Sequence, residues 1–350
     1  MSKSELCGLV QTVLGPVGPE ELGPTTTHEH LLIDFSSMFN PPTEASERYK
    51  AFQPVTLANR GWVSYDPFRN QDNLQLLNED TAVSETLLYK IAGGGTIVDA
   101  TTIGIGRDPM ALTRISRATG LHIVMGAGYY VDAAHPDGMD DRSEGDLARQ
   151  IAGEITDGVG DTGVKAGIIG ELGCTWPLSE NERKVLRGAA VAQRETGASI
   201  LIHPGRNRAA PFEIVEVLTE AGADVSRVIM GHLERTIDDP DTLIDLAGKG
   251  VCMEYDLFGW ETSYYPLGEF DMLSDAQRID FIEILIKEGF ADQIVIAHDV
   301  FAKHRLVKYG GHGYSHILRN IVPRMRERGI SEEHIHSIIE ANPARLLTIY

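Results

Sequence analysis

Short apolar runs recur along the chain, and segments with a helical spacing of apolar residues separate them. As a group the runs are nearly continuous in apolar character, which is typical of parallel strands covered on both faces. They lie at residues 25–30, 96–100, 122–128, 166–171, 199–203, 227–232, 251–255 and 294–299. Helical spacing occurs at residues 79–92, 108–120, 144–157, 179–196, 211–221, 239–249, 274–288 and 331–339.

Eight strands alternating with helices are the number that closes a parallel barrel. We therefore predict an α/β fold, a (β/α)8 TIM barrel, with a short N-terminal strand extension at residues 7–14. A doubly wound open sheet is the alternative, but no strand leads into the G-x-G-x-x-G turn of a dinucleotide site. Residues 35–75 show no sustained period, and such a segment usually covers a site or mediates a subunit contact.

Length and composition describe an ordinary globular protein. Barrels of this kind commonly use about 250 residues or more as one domain, so residues 1–350 are expected to form a single domain. Hydrophobic residues make up 42% of the chain, which is enough for a large core. The formal charge of -20 repels nucleic acid and anionic membrane surfaces, and neither is an expected partner.

Cysteine usage and the N-terminal stretch bear on the compartment. Cys7, Cys174 and Cys252 are far apart and include no C-x-x-C pair, so neither a disulfide framework nor a structural zinc knot is indicated. No apolar run is long enough for a signal peptide or a membrane span, and we expect a soluble, cytoplasmic protein. Phe52 and Trp62 in the irregular segment make a homodimer plausible.

Residues that can bind metal occur at the ends of five predicted strands. Because the carboxyl ends of barrel strands converge at one mouth, these side chains are expected to meet. Histidine and carboxylate ligands suit a pair of divalent metals that share one activated water. The candidates are His28 and His30 on the first strand, Glu171 on the fourth, His203 on the fifth, His232 on the sixth and Asp299 on the eighth.

Each candidate also has a structural alternative. A single buried histidine at a strand end is more often a hydrogen-bonded core residue than a ligand. Glu171 could cap a helix, and Asp299 could pair with Lys303 or Arg305. A single metal site nevertheless explains why all these residues occur at strand ends, whereas the structural alternative needs a separate explanation for each strand.

Several motifs resemble the phosphotriesterase-related family of the amidohydrolase superfamily, and especially its animal-type members. They are Thr-His-Glu-His at 27–30, Ile-Ile-Gly-Glu-Leu-Gly at 168–173, Ile-His-Pro-Gly-Arg-Asn at 202–207, Met-Gly-His-Leu at 230–233 and Ala-His-Asp at 297–299. The stretch 297–316 adds to the resemblance, which runs from about residue 8 to residue 346.

The resemblance implies a binuclear metal centre. His28, His30 and Asp299 would hold the more buried ion, and His203 and His232 the more exposed one. Glu171 would bridge the two ions, where true phosphotriesterases use a carbamylated lysine. That difference weighs against triesterase activity. Zinc is the expected metal, with manganese, iron and cobalt as alternatives.

The resemblance to animal-type members further implies hydrolysis of N-acetyltaurine, and less readily of related N-acetyl amino acids. Asp299 would shuttle the proton. An anionic small-molecule substrate requires a local cation in so acidic a chain, and Arg206, with Asn207 beside it, follows the ligand His203. Tyr130 and His312 are further candidates for substrate contact, although each could equally be a packing or loop residue.

Two other functions remain open from the sequence. A lactonase or phosphoester hydrolase could use the same centre, and it would depend little on Arg206. A metal-binding protein without activity is the third possibility, but such a protein would have no need of the proton-accepting Asp299.

Overall fold

The computed structural model describes residues 6–262 and 264–350, and it confirms the predicted barrel. Eight parallel strands lie side by side in chain order. They are β1 (Thr25–Glu29), β2 (Thr96–Asp99), β3 (His122–Ala127), β4 (Ile168–Gly173), β5 (Ile200–His203), β6 (Val228–Met230), β7 (Cys252–Tyr255) and β8 (Ile294–Ile296).

The sheet closes between its first and last strands. The amide of Asp299 donates to the carbonyl of His28 at 3.0 Å, and the Thr27 hydroxyl donates to the carbonyl of Ile296 at 3.4 Å. These contacts bring the residues that follow β8 against β1, so positions 28 and 299 become neighbours although they lie at opposite ends of the chain.

Helices surround the sheet. They cover Arg60–Tyr65, Glu79–Ile91, Pro109–Thr119, Glu144–Thr156, Glu180–Thr196, Ala210–Glu220, Pro240–Ala247, Asp275–Lys287, Val322–Glu327, Glu332–His336 and Asn342–Leu347. Asparagine, aspartate or serine caps several of them; for example, Ser179 accepts a hydrogen bond from the amide of Glu182. In the part of the chain that the structure describes, no helix is both long and apolar enough to cross a membrane.

A small apolar cluster fills the barrel interior. It takes one buried side chain from each of the strands β2 to β8 and is completed by residues near both ends of the chain. The strand residues are Val98, Val124, Ile168, Leu201, Ile229, Cys252 and Val295, and the closing residues include Val10 and Leu346.

The N-terminal extension is a hairpin that lies across the end of the barrel where the strands begin. Val10–Thr12 pairs antiparallel with Gly15–Val17, and the amide of Val13 donates to the carbonyl of Ile123 at 2.9 Å. The extension therefore closes the end opposite to the mouth.

The C-terminal region differs from the prediction. Helical structure begins at Ile317–Ile321 as a π-helical turn, and a second π-helical turn, Ser337–Ala341, joins the last two helices. Pro323 and Pro343 each lie within two residues after one of these π-helical turns.

Residues 35–75 contain short helical turns, with the helix Arg60–Tyr65 among them. The rings of Phe35 and Phe68 both stack or pack against Phe301 at the barrel mouth. This segment therefore covers the mouth of the barrel. Covering a site was one of the two roles expected for it from the sequence, the other being a subunit contact.

A buried ion-pair network fixes the loops after β6 and β7. The Arg278 guanidinium lies 3.1 Å from Glu234 and 2.6 Å from Asp275, and it donates to the carbonyl of Trp260. Glu234 in turn accepts from the amide of Leu257 at 2.7 Å.

Removing this guanidinium should leave the Glu234 carboxylate buried without its cation. We expect Arg278→Met to lower the free energy of unfolding by about 3–5 kcal/mol, measured by urea denaturation followed by circular dichroism. Arg326→Met, which breaks an exposed pair with Glu332, is the control and should have a much smaller effect. Equal losses in the two variants would show that the buried network does not stabilise the fold.

Candidate metal centre

The six candidate ligands lie together at the mouth of the barrel. Oε1 of Glu171 is 3.4 Å from Nε2 of His28, 2.5 Å from Nδ1 of His203 and 3.0 Å from Nε2 of His232. Its other oxygen, Oε2, is 3.7 Å from Nε2 of His30. The carboxylate of Glu171 therefore lies between the four histidines.

Asp299 completes the group beside the first strand. Its Oδ1 is 3.2 Å from Nε2 of His30, and the side chain lines the cavity above. All six side chains are buried to at least nine-tenths of their surface. The sequence correctly placed these residues at one mouth.

Strand geometry explains the direction of the first pair. His28 and His30 are two residues apart, so their side chains leave β1 on the same face. Glu29 points the other way, where its carboxylate lies 2.5 Å from Nδ1 of His298. Nε2 of His298 also accepts a hydrogen bond from the amide of Ile317, so the His298 ring has a structural role.

His232 and Asp299 lie just past the ends of their strands, and both have left-handed backbone conformations. Their φ angles are 54° and 49°, which is uncommon for residues other than glycine and is found most often at functional sites. Hydrogen bonds hold both conformations: the His232 amide donates to Asp256, and the Asp299 amide donates to the His28 carbonyl. The predicted strands at 227–232 and 294–299 therefore end early, at Met230 and Ile296.

Two carboxylates behind the histidines orient their rings. Asp256 lies 2.7 Å from Nδ1 of His232 and 3.1 Å from Nδ1 of His28, and Glu254 lies 3.3 Å from the same atom of His28. A carboxylate on one ring nitrogen directs the opposite nitrogen toward a metal. His30 is oriented in the same way, by the Thr101 hydroxyl at 2.9 Å from its Nδ1.

Electrostatics keep the central carboxylates ionised. Burial alone would raise the pKa of Glu171, but the charges of His28 and His203 and hydrogen bonds from His203 and His232 bring it well below its usual range. Burial likewise opposes ionisation of Asp256, and His232 and His28 lower its pKa. The site therefore holds fixed negative charge that faces histidine nitrogens.

The donor set fits divalent metal ions. The ligand atoms of His28, His30 and Asp299 lie within 4.8 Å of one another, and so do those of His28, Glu171 and His232. Nε2 of His28 is buried and has no hydrogen-bond partner among the described residues, although both groups converge on it. A buried histidine nitrogen that has no hydrogen-bond partner and lies beside a carboxylate is suited to bind a metal ion.

A small cavity lies above these residues. Phe35, Phe68, Leu257, Trp260 and Phe301 provide apolar walls, and the polar lining consists of Tyr130, Arg206, Arg235 and Tyr265 together with the candidate ligands other than His28. Apolar walls combined with directed polar groups are typical of a small-molecule site.

Two of the residues predicted to contact substrate do not line this cavity. The Asn207 side chain is partly buried and donates to Glu269 at 3.1 Å. The His312 ring packs against His316, with a centroid distance of 4.2 Å. Neither Asn207 nor His312 is among the described residues that line the cavity, because their side chains are directed elsewhere.

Lys165 donates to the carbonyl of Thr156, away from the cluster, so it does not take the place of the carbamylated lysine of true phosphotriesterases. Conversely, Glu254, Asp256, Arg235 and Tyr265 were missed. The first two could have been found, because a carboxylate, an aromatic residue and a second carboxylate occur in sequence at the end of β7. Two alternating acidic residues in an apolar strand are unusual enough to suggest a buried role.

Comparison with known proteins places this site in a family. The family model described as "Phosphotriesterase family" matches residues 8–347. A protein of Tetraodon nigroviridis named N-acetyltaurine hydrolase is 48% identical over 347 residues, which cover 99% of each chain.

Solved structures agree. The crystal structure of a resiniferatoxin-binding protein from Rhodobacter sphaeroides superposes with a TM-score of 0.94 at 35% identity and covers 99% of this chain and 98% of that one. A lactonase from Listeria monocytogenes gives a TM-score of 0.79 at 25% identity, with 98% and 99% covered. From the matched model, the relatives and the ligand geometry, the chain belongs to the phosphotriesterase family.

Proposed function

We propose that this chain is a divalent-metal-dependent amidase that hydrolyses N-acetyltaurine to taurine and acetate. One observation carries the proposal: in a chain closely similar to proteins named N-acetyltaurine hydrolase, five of the six candidate metal ligands and the guanidinium of Arg206 line the same cavity. The cluster suits cleavage of an acyl bond, and the guanidinium suits recognition of an anionic amine product.

In this proposal His28, His30 and Asp299 would hold one divalent cation, His203 and His232 would hold a second, and Glu171 would be shared between the two. Zinc is the proposed metal. Divalent ions with such ligands polarise a carbonyl oxygen and acidify a bound water. The distances around Glu171 support the bridging role, since its two oxygens face different histidines.

Asp299 is the proposed proton carrier. It lines the cavity and lies beside His30, so it can accept a proton from the attacking water and deliver it to the nitrogen of the departing taurine. The C–N bond then breaks with a neutral amine as the leaving group, and the acid product keeps the oxygen of the water and releases the water's second proton to solvent as it becomes acetate.

Tyr130 supplies a hydrogen-bond donor on the wall of the site. Burial raises the pKa of its phenol well above the usual value, so the hydroxyl keeps its proton at working pH. The oxygen lies 3.3 Å from Nδ1 of His203, close enough to the ligand cluster to donate to a bound acyl group.

Arg206 is the proposed anchor for the sulfonate. Its Nε donates to the Tyr265 hydroxyl at 2.7 Å, and its terminal nitrogens have no hydrogen-bond partner among the described residues. A guanidinium presents several N–H groups in a fixed plane, which matches an acid group with several oxygens.

A lactonase is the competing function, because a lactonase of Listeria monocytogenes shares the fold. A neutral lactone, however, would gain nothing from Arg206. The panel that separates these functions compares N-acetyltaurine, the neutral analogue N-propylacetamide, a lactone and an aryl phosphotriester on metal-loaded protein.

We expect the highest kcat/KM in this panel for N-acetyltaurine. Arg206→Ala should lower that value about 10- to 100-fold, mainly through KM, because a charged hydrogen bond is lost, and should affect the neutral amide little. Arg208→Ala is the matched control, since Arg208 is exposed on the same loop and pairs with Asp238. A lactone or phosphotriester hydrolysed better than every amide would refute the assignment.

Replacing Asp299 tests the proton transfer. We expect Asp299→Asn to reduce kcat for N-acetyltaurine by about 100-fold or more, since an amide cannot accept the proton. Circular dichroism and metal analysis should accompany the kinetics, so that loss of metal can be distinguished from loss of the proton carrier. Asp161→Asn, on an exposed turn, is the control. Near-normal turnover by metal-loaded Asp299→Asn would exclude the proposed role.

A further inference from the structure

The cavity contains a second guanidinium, that of Arg235, which lies only 3% exposed. Its Nη2 donates to the carbonyl of Pro204 at 3.1 Å and lies 3.1 Å from Nε2 of His203. Its Nη1 makes only a long contact, 3.5 Å, with the Thr236 hydroxyl. Among the described carboxylates, none forms an ion pair with Arg235.

This environment differs from that of the other buried arginines. Arg107 forms a bidentate pair with Glu154, at 2.8 Å and 3.0 Å, and Arg278 has two carboxylate partners. Arg227 and Arg305 each donate to two or more main-chain carbonyls instead. These side chains have an evident structural use.

Arg235 also lies close to Arg206. Both side chains line the same cavity. Two neighbouring cations in a low-dielectric cavity are costly unless an anion compensates them. The carboxylates that line the cavity with them, Glu171 and Asp299, contact the histidine cluster, and among the described residues neither one forms an ion pair with Arg206 or Arg235.

Tyr265 holds the first of these cations in place. Its hydroxyl accepts from Nε of Arg206, and its ring packs edge-on against Trp260 with a centroid distance of 5.8 Å. The bond to Nε leaves both terminal nitrogens of Arg206 directed away from Tyr265. The cavity is therefore lined by two guanidinium groups that retain N–H donors without a strong hydrogen-bond partner among the described residues.

We propose that Arg235 and Arg206, the latter oriented by Tyr265, form one subsite for an acid group with three oxygens, and that this subsite selects N-acyl amino sulfonates over N-acyl amino carboxylates. The inference rests on the proposed amidase function and specifies how its substrate is chosen. Arg235 and Tyr265 are specificity-determining residues in this view; Arg235 contacts the acid group and Tyr265 acts through Arg206.

The number of oxygens explains the selection. A sulfonate has three equivalent oxygens in a pyramidal arrangement, so it can accept hydrogen bonds from two guanidinium groups that lie in different directions. A carboxylate of the same chain length has only two coplanar oxygens, so it can align well with one guanidinium and leaves the N–H donors of the other poorly paired. Leaving a buried donor unpaired is the strongest means by which a site rejects a close analogue.

The test compares wild type, Arg235→Met, Arg235→Lys and Tyr265→Phe on three substrates: N-acetyltaurine, N-acetyl-β-alanine and N-propylacetamide. The reported quantity is the ratio of kcat/KM for the sulfonate to kcat/KM for the neutral amide. Because Arg235 lies beside His203, this ratio cancels any general effect of a substitution on the metal centre.

We expect Arg235→Met to lower the ratio about 100-fold and Arg235→Lys about 10-fold, because lysine keeps the charge but loses the planar fork. Tyr265→Phe should raise KM for N-acetyltaurine about 10-fold with little change in kcat. The preference for the sulfonate over N-acetyl-β-alanine should disappear in Arg235→Met. Arg187→Met, which breaks an exposed pair with Glu144, should leave all ratios unchanged.

A binding measurement makes the outcome independent of turnover. Isothermal titration calorimetry with propane-1-sulfonate should detect binding to wild type and a loss of at least about 10-fold in affinity in Arg235→Met, with butyrate binding more weakly to wild type. An unchanged affinity or an unchanged ratio in Arg235→Met would overturn the subsite. Absence of hydrolysis of every amide by wild type would instead refute the proposed function, and the titration would still decide the subsite.

Discussion

The carboxylate of Glu171 is buried among four histidines, and the arrangement of the mouth depends on that contact. A buried carboxylate is costly unless positive charge compensates it, and here the histidine nitrogens lie between 2.5 Å and 3.7 Å from its oxygens. Two of the histidines come from β1, and the other two lie at the ends of β5 and β6, so they meet only when the barrel closes. The buried charge of the site therefore lies at the mouth of the barrel.

Closure and orientation are coupled through a few residues. The His28 carbonyl accepts the amide of Asp299, which joins the first and last strands, while the His28 ring is held by Asp256. Asp256 also holds the ring and the main chain of His232. One carboxylate just after β7 thus orients candidate ligands on β1 and after β6, and the same carboxylate holds the left-handed backbone of His232.

The sequence predicted the eight strands and the convergence of the six candidate ligands, because strand periodicity and the barrel rule depend only on local pattern and order. It did not predict Arg235. That residue follows His232, whose left-handed conformation turns the next residues, Leu233–Arg235, into a short helical turn directed back to the cavity. A single backbone angle of this kind leaves no periodic signal.

The same limit explains the failed placement of Asn207 and His312. Proximity in sequence to a ligand or to a conspicuous motif does not fix the direction of a side chain, and Asn207 Oδ1 accepts the amide of Ala209 within its own turn. Sequence pattern located the elements and the ligands, whereas the cavity wall depended on loop geometry.

The most direct test of the central claim is the anomalous scattering of crystals of the metal-loaded protein, collected at the absorption edge of the bound metal. The account predicts two peaks about 3.5–4 Å apart, with one oxygen of Glu171 beside each peak and with His28 and His232 contacting different peaks. A single peak, or peaks that do not contact Glu171, would contradict a shared carboxylate as the organising element of this site.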